Sequence, residues 1–154
     1  MMMMMMMMTK EQIVKFIHKF SPEINVKFYR GKNHRYRTFG GYYAYDTSTI
    51  FLNERIIFDG DKCQRSKLYI TQLVMHELGH HHTYHTSIVE REYKAQRWAI
   101  KTAEKLNMKK IAKNLKLNFE NWTPKYFGKN YGWNSCYRRY YLARKLAKKR
   151  KLIY

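Results

Sequence analysis

Acidic residues are scarce in this sequence, and so are cysteines and long apolar runs. Among 154 residues there are only 11 Asp+Glu against 31 Lys+Arg, a net charge of +20. The shortage sharpens toward the end: residues 105–154 hold 15 basic side chains and one acidic one, Glu120, a net +14. Such a surface repels cations and draws polyanions or acidic partners over long range, though a merely solvated basic face would have the same composition. Two cysteines, Cys63 and Cys136, stand far apart and outside any C-x-x-C pattern. They exclude a disulfide framework and a thiolate zinc site, and read as reduced thiols. No apolar run approaches the ~20 residues of a bilayer-spanning helix. The opening run Met1–Met8 lacks a basic leader, a long apolar segment and a small-residue cleavage site. It is not a secretion signal, and the expected location is cytoplasmic.

What the chain does have is enough apolar and aromatic material, 45% and 16%, to fold as one compact domain. Thr9 with Gln12 forms a capping-box pattern, and Ile13, Phe16, Ile17 and Phe20 follow at helical spacing up to Ser21-Pro22. Short β-like runs come next: Ile24–Tyr29, then Tyr42–Tyr45 after Gly40-Gly41, then Thr49–Asn53, "TIFLN", as a buried strand. Arg30–Thr38 reads as a loop, and Asp59-Gly60-Asp61 as a break. Ser66 is the expected N-cap of a long helix through His76 and His80. Ser87 with Glu90 opens another, by a second capping box, running to about Leu106. Met108–Leu115 and Ser135–Lys151 read as further helices, with an irregular aromatic stretch at Asn118–Gly132 between them. The fold class is α+β: an N-terminal helix, a small antiparallel or mixed sheet, an H-E-x-x-H helix packed on a second helix, and a basic helical C-terminal region. The expected organisation is a domain over residues 9–106, with 107–154 as a basic, aromatic-rich extension packed on it.

Five of the seven histidines lie between positions 76 and 85. His76-Glu77-Leu78-Gly79-His80 is an H-E-x-x-H motif, expected by chance in roughly one or two of every hundred such chains. Residues four apart share one helix face, so two imidazoles converge on one zinc ion. The glutamate beside them can take a proton from metal-bound water and pass it to the leaving amine. His81 and His82 point about 100° and 200° away from His80 and read as surface or packing residues.

Zinc needs a third protein ligand, with the fourth position left for water. Glu90 and Glu92 face nearly opposite ways, and Glu90 has the capping role. Glu92 shares a stripe with Ala95, Ala99, Thr102, Ala103 and Leu106. A carboxylate on a buried stripe is costly unless it is paired or metal-bound, which makes Glu92 the third ligand. Pairing with Arg91 or Lys94 is the structural alternative, and His85 the alternative ligand.

H-E-L-G-H followed closely by E-x-x-A-x-x-aromatic-A, here Glu92 to Ala99, resembles the signature of the ImmA/IrrE-type metallopeptidases. The "TIFLN" strand resembles the one that precedes the active-site helix there, and the likeness covers residues 10–105. The resemblance implies a gluzincin-like zinc peptidase with one Zn²⁺ per chain, His76, His80 and Glu92 as ligands, and Glu77 as general base. It also implies a phage or mobile-element origin, a bacterial host cytoplasm, and a protein substrate such as a DNA-bound transcriptional repressor. Two features depart from the pattern: the gap from His80 to Glu92 is short, and no proline lies near Ala99–Leu106.

The C-terminal region has no counterpart in that pattern. Tyr137, Tyr141 and Leu142 are expected to pack inward, leaving Arg138, Arg139, Arg144, Lys145, Lys148 and Lys149 for DNA, another polyanion or an acidic partner. A DNA-associated protein, a SprT-like protease acting on nucleic-acid-bound proteins, and an inactive zincin relic serving as an interaction protein are the competing readings.

Overall fold

The structure, a computed structural model, describes residues 8–30, 40–58, 66–123 and 137–153. Cys63, Cys136, the Asp59-Gly60-Asp61 break and nearly all of the Arg30–Thr38 loop lie outside the described residues. Among those described, the fold is α+β, with six helices and a three-stranded mixed sheet. None of these helices is long and apolar enough to cross a membrane. The chain forms two compact units, Met1–His81 and His82–Tyr154. The sequence suggests a boundary near residue 106; the packing instead groups the helix that ends there with the C-terminal helices.

The first unit begins with α1, Lys10–Phe20, whose capping box forms as expected. Thr9 Oγ1 accepts the Gln12 N–H at 3.1 Å, and Gln12 Oε1 accepts the Thr9 N–H at 2.9 Å. Strands β1 (Asn25–Tyr29), β2 (Gly41–Ala44) and β3 (Thr49–Asn53) come next. Their order is β1-β3-β2, with β1 parallel and β2 antiparallel to β3. "TIFLN" is thus the central strand, with Thr49, Ile50, Leu52 and Asn53 all buried. One glycine lets β2 into this sheet: a Cβ on Gly41 would sit 2.7 Å from the Phe51 carbonyl oxygen. Gly40, just before β2, leaves room for the Tyr69 and Leu73 side chains, a Cβ there falling 2.8 Å from Tyr69 Oη. Asn53 caps the short helix α2, Glu54–Ile57.

Helix α3, Lys67–His82, completes the unit. Ser66 Oγ accepts the Tyr69 N–H at 3.2 Å, the expected cap. Ile70, Val74, Met75 and Leu78 are buried, and so are Thr71, Glu77, Gly79 and His80. These positions spread around most of the circumference, so the helix shows no clean apolar stripe in sequence.

The second unit holds α4 (Ile88–Lys105), α5 (Lys109–Glu120) and α6 (Tyr137–Lys149). Glu92, Ala95, Ala99 and Ala103 form the buried stripe expected on α4. Leu106, expected to extend it, is 50% exposed. It is the C-cap, and the next residue, Asn107, turns the chain away at φ 61°. The Met108 N–H then bonds the Ala103 carbonyl at 2.8 Å, closing the helix. Helix α5 runs past Leu115 because Ala112, Leu115 and Phe119 keep the buried face going to Glu120. Gln96 Nε2 donates to the Leu115 carbonyl at 2.9 Å, and the rings of Tyr93, Phe119, Trp122 and Tyr140 form a continuous aromatic chain. On α6 the buried residues are Ala143 and Ala147; Tyr141 and Leu142 are half-buried.

Only half of the second capping box forms. Ser87 Oγ accepts the Glu90 N–H at 3.5 Å, but the Glu90 carboxylate turns to Arg150, meeting Nη1 at 3.0 Å and Nη2 at 2.5 Å. A bidentate guanidinium is the stronger partner for a carboxylate than one backbone N–H. It holds Glu90 below its ordinary value of 4.5, first by hydrogen bonding and then by charge. A depressed carboxylate contributes stability above its unfolded pKa and loses it as pH falls through the folded one. Glu90→Gln should therefore lower the urea midpoint at neutral pH, with the gap to wild type closing on acidification below pH 4.5. A gap that stays constant with pH would assign the loss to packing alone.

Candidate metal centre

Helix α3 places His76 and His80 one turn apart, as the motif requires. Their Nε2 atoms face each other at 3.1 Å, with the rings edge to face. Two imidazoles on one tetrahedral zinc, each about 2.0–2.1 Å from it, would hold their nitrogens about 3.3 Å apart. The observed pair lies close to that value, so the histidines fit a shared ion. Glu77, between them in sequence, is 4% exposed, and His80 is 7% exposed.

The other ring nitrogen of His80 is fixed as well. Nδ1 meets Tyr45 Oη at 2.6 Å. When Nε2 presents its lone pair to a metal, the proton must sit on Nδ1, and the phenol oxygen accepts it. Two residues earlier, Tyr43 Oη meets His81 Nδ1 at 2.7 Å, and His81 Nε2 meets Glu23 Oε1 at 2.7 Å. Tyr43, on β2, and Tyr45, in the turn just after it, thus meet successive histidines of α3. His81 thus packs within the fold, while His82 stacks on Trp98, with centroids 4.7 Å apart and planes at 5°. Neither tyrosine stands out as a site residue in the sequence. The signal is present in their spacing of two beside a strand, but their pairing with the histidines is a tertiary fact.

Glu92 is buried on α4, 4% exposed, where a half-exposed side chain is the structural alternative. Arg91 Nε donates to the His85 carbonyl at 2.5 Å. Each of His76, His80 and Glu92 offers one ligand atom, and these atoms all lie within 4.8 Å of one another. His85 is not in this group; its Nδ1 accepts the Ser87 N–H at 2.9 Å and serves the turn before α4.

The basic residues of α6 divide. Arg138, Lys145, Lys148 and Lys149 are exposed, with Lys145 Nζ 5.2 Å from the Tyr141 ring centroid. Arg144 Nε donates to the Glu120 carbonyl at 2.8 Å, capping the C-terminal end of α5. Arg139, expected to face outward, lies 3.8 Å from Glu92 Oε2 through its Nε, with a side chain 30% exposed. It stands four and eight residues before Ala143 and Ala147, on the same buried stripe. The carboxylate it meets is 47 positions earlier in the chain, too far for any local pattern to pair them.

Tyr45→Phe removes the hydroxyl that meets His80 Nδ1 while leaving the ring in place. Zinc affinity should fall about 10–100-fold, the usual cost of losing such a partner, as read by competition with a chromogenic chelator. An unchanged affinity would mean that the phenol does not orient the ligand.

Comparison with known protein families, with curated proteins and with solved structures finds no match for this chain.

Proposed function

We propose that this chain is a zinc-dependent metallopeptidase, with His76, His80 and Glu92 holding the ion and Glu77 acting as general base. The observation that carries the reading is the His76–His80 pair, with Nε2 atoms 3.1 Å apart and the far nitrogen of His80 held by Tyr45. Two histidines and a carboxylate with an open fourth position suit zinc. When bound, zinc supplies a Lewis acid that polarises the scissile carbonyl and makes water a nucleophile near neutral pH.

The chain's own residues do the proton work. The Glu77 carboxylate takes a proton from the attacking water and delivers it to the departing amine nitrogen. Its burial keeps bulk water from competing for that proton. By accepting the Nδ1 proton of His80, Tyr45 would leave the Nε2 lone pair to the ion.

The likeness of His76–His80 and Glu92–Ala99 to the ImmA/IrrE signature supports a protein substrate, of which a DNA-bound repressor in a bacterial cytoplasm is one. The net charge of +20 suits a substrate presented on a polyanion. The test is metal analysis of the purified chain together with cleavage of candidate repressors. About one zinc per chain and chelator-sensitive cleavage are expected. A chain that takes up no zinc overturns the reading.

A further inference from the structure

The face of α4 turned away from Glu92 has its own architecture. At about 100° per residue, Lys94, Arg97, Trp98 and Lys101 lie roughly 200°, 140°, 240° and 180° around the helix from Glu92. They line a cleft of about 530 Å³ together with Tyr84 and Tyr93. That volume lies within the roughly 300–1,000 Å³ of small-ligand sites. Among the described residues, none in the lining is acidic; Glu104 approaches Lys101 Nζ at 3.9 Å and Lys116 Nζ at 3.4 Å.

The aromatic walls are braced from within the same unit. The Trp98 indole stacks flat on His82. Tyr84 is 62% exposed, yet the Arg91 guanidinium lies 5.0 Å from its ring centroid and donates to its hydroxyl at 3.2 Å. An exposed aromatic ring braced by a cation beside a basic cleft is not needed to fill a core.

We infer that this cleft binds a nucleotide, with the base against Trp98 and Tyr84 and the phosphate on Lys94, Arg97 and Lys101. Cations alone would suit any acidic ligand. The aromatic planes decide the class, because every base offers a π face and a carboxylate chain offers none. Lys94 and Lys101 are seven residues apart, so the cationic row runs about 10 Å along the helix, long enough to follow a strand past one nucleotide. The inference uses no metal ligand and stands apart from the peptidase reading.

The test is fluorescence anisotropy of the full chain with a labelled oligothymidylate of about 20 nucleotides at low salt, where phosphate contacts are strongest. Arg97→Glu with Lys101→Glu should weaken binding more than about tenfold. Lys109→Glu with Lys110→Glu, the same charge change on α5, should weaken it less than about threefold. Trp98→Leu should cost about fivefold or more, and should reduce the salt slope little because stacking releases no counterions. Displacement by AMP would identify a free nucleotide as sufficient; displacement only by oligonucleotides would identify a strand, and either supports the site. Equal losses from the two double variants, equal competition by polyglutamate, or no binding at low salt would overturn it. Removing zinc with a chelator should leave the affinity unchanged; a loss on chelation would also count against a separate site.

Discussion

Glu77→Gln should leave one zinc per chain and reduce peptide hydrolysis by about 10²–10⁴-fold, the contribution of a positioned general base. The substitution exchanges one carboxylate oxygen for an amide nitrogen and keeps the volume, which matters at a side chain only 4% exposed. His80 is held through Nδ1 by Tyr45, and both imidazoles are set by the helix that carries them. The loss should fall on kcat with KM little changed, because the proton moves in the transition state and not on binding. Metal analysis and steady-state kinetics on one preparation separate the outcomes. Zinc retained with full activity would remove Glu77 from the chemistry. Zinc lost along with activity would make it a structural support of the ligands.

How legible is this arrangement in the chain itself? The α+β class, both helices that carry the proposed ligands, the Thr9–Gln12 capping box and the buried strand at Thr49–Asn53 come from local rules: cap chemistry, apolar spacing and strand patterning. Burial of Glu92 is readable from Ala95, Ala99 and Ala103 standing at its steps of three and four. The same reasoning applied to α6 flags Arg139, which shares a stripe with Ala143 and Ala147. A cation in that position needs a counter-charge or a path to water, and the charge-rich local composition hides the question. Glu90 departs from its expected role for a different reason. Its local partner, the cap N–H, is real, but Arg150 sixty residues later offers two charged hydrogen bonds in its place. Tyr43 and Tyr45 share that limit, since the register of β2 against β3 places Tyr43 and the turn after β2 places Tyr45. Local patterns reach as far as a helix turn or a pleat; ion pairs and phenol–imidazole contacts are settled by packing.

Glu92→Ala should lower zinc affinity by more than about 10³-fold, since it removes one of three proposed protein ligands and leaves two imidazoles alone. It should also destabilise the fold by about 1–3 kcal/mol, because Arg139 keeps its charge on a mostly buried stripe with its partner gone. These two losses have separate causes, and the partner residue separates them. Arg139→Met in the wild-type background leaves the proposed ligand in place, so zinc affinity should shift far less than in Glu92→Ala. Combining Arg139→Met with Glu92→Leu replaces the ion pair by apolar groups of similar volume. Urea unfolding of that double variant should show most of the stability restored, since removing both charges avoids the cost of stranding one. Its zinc affinity should stay as low as that of Glu92→Ala. Restored stability without restored affinity would assign Glu92 to the metal and Arg139 to the fold. If Glu92→Ala bound zinc as tightly as wild type, the carboxylate would be the structural counter-ion of Arg139, and the third ligand would have to be sought elsewhere.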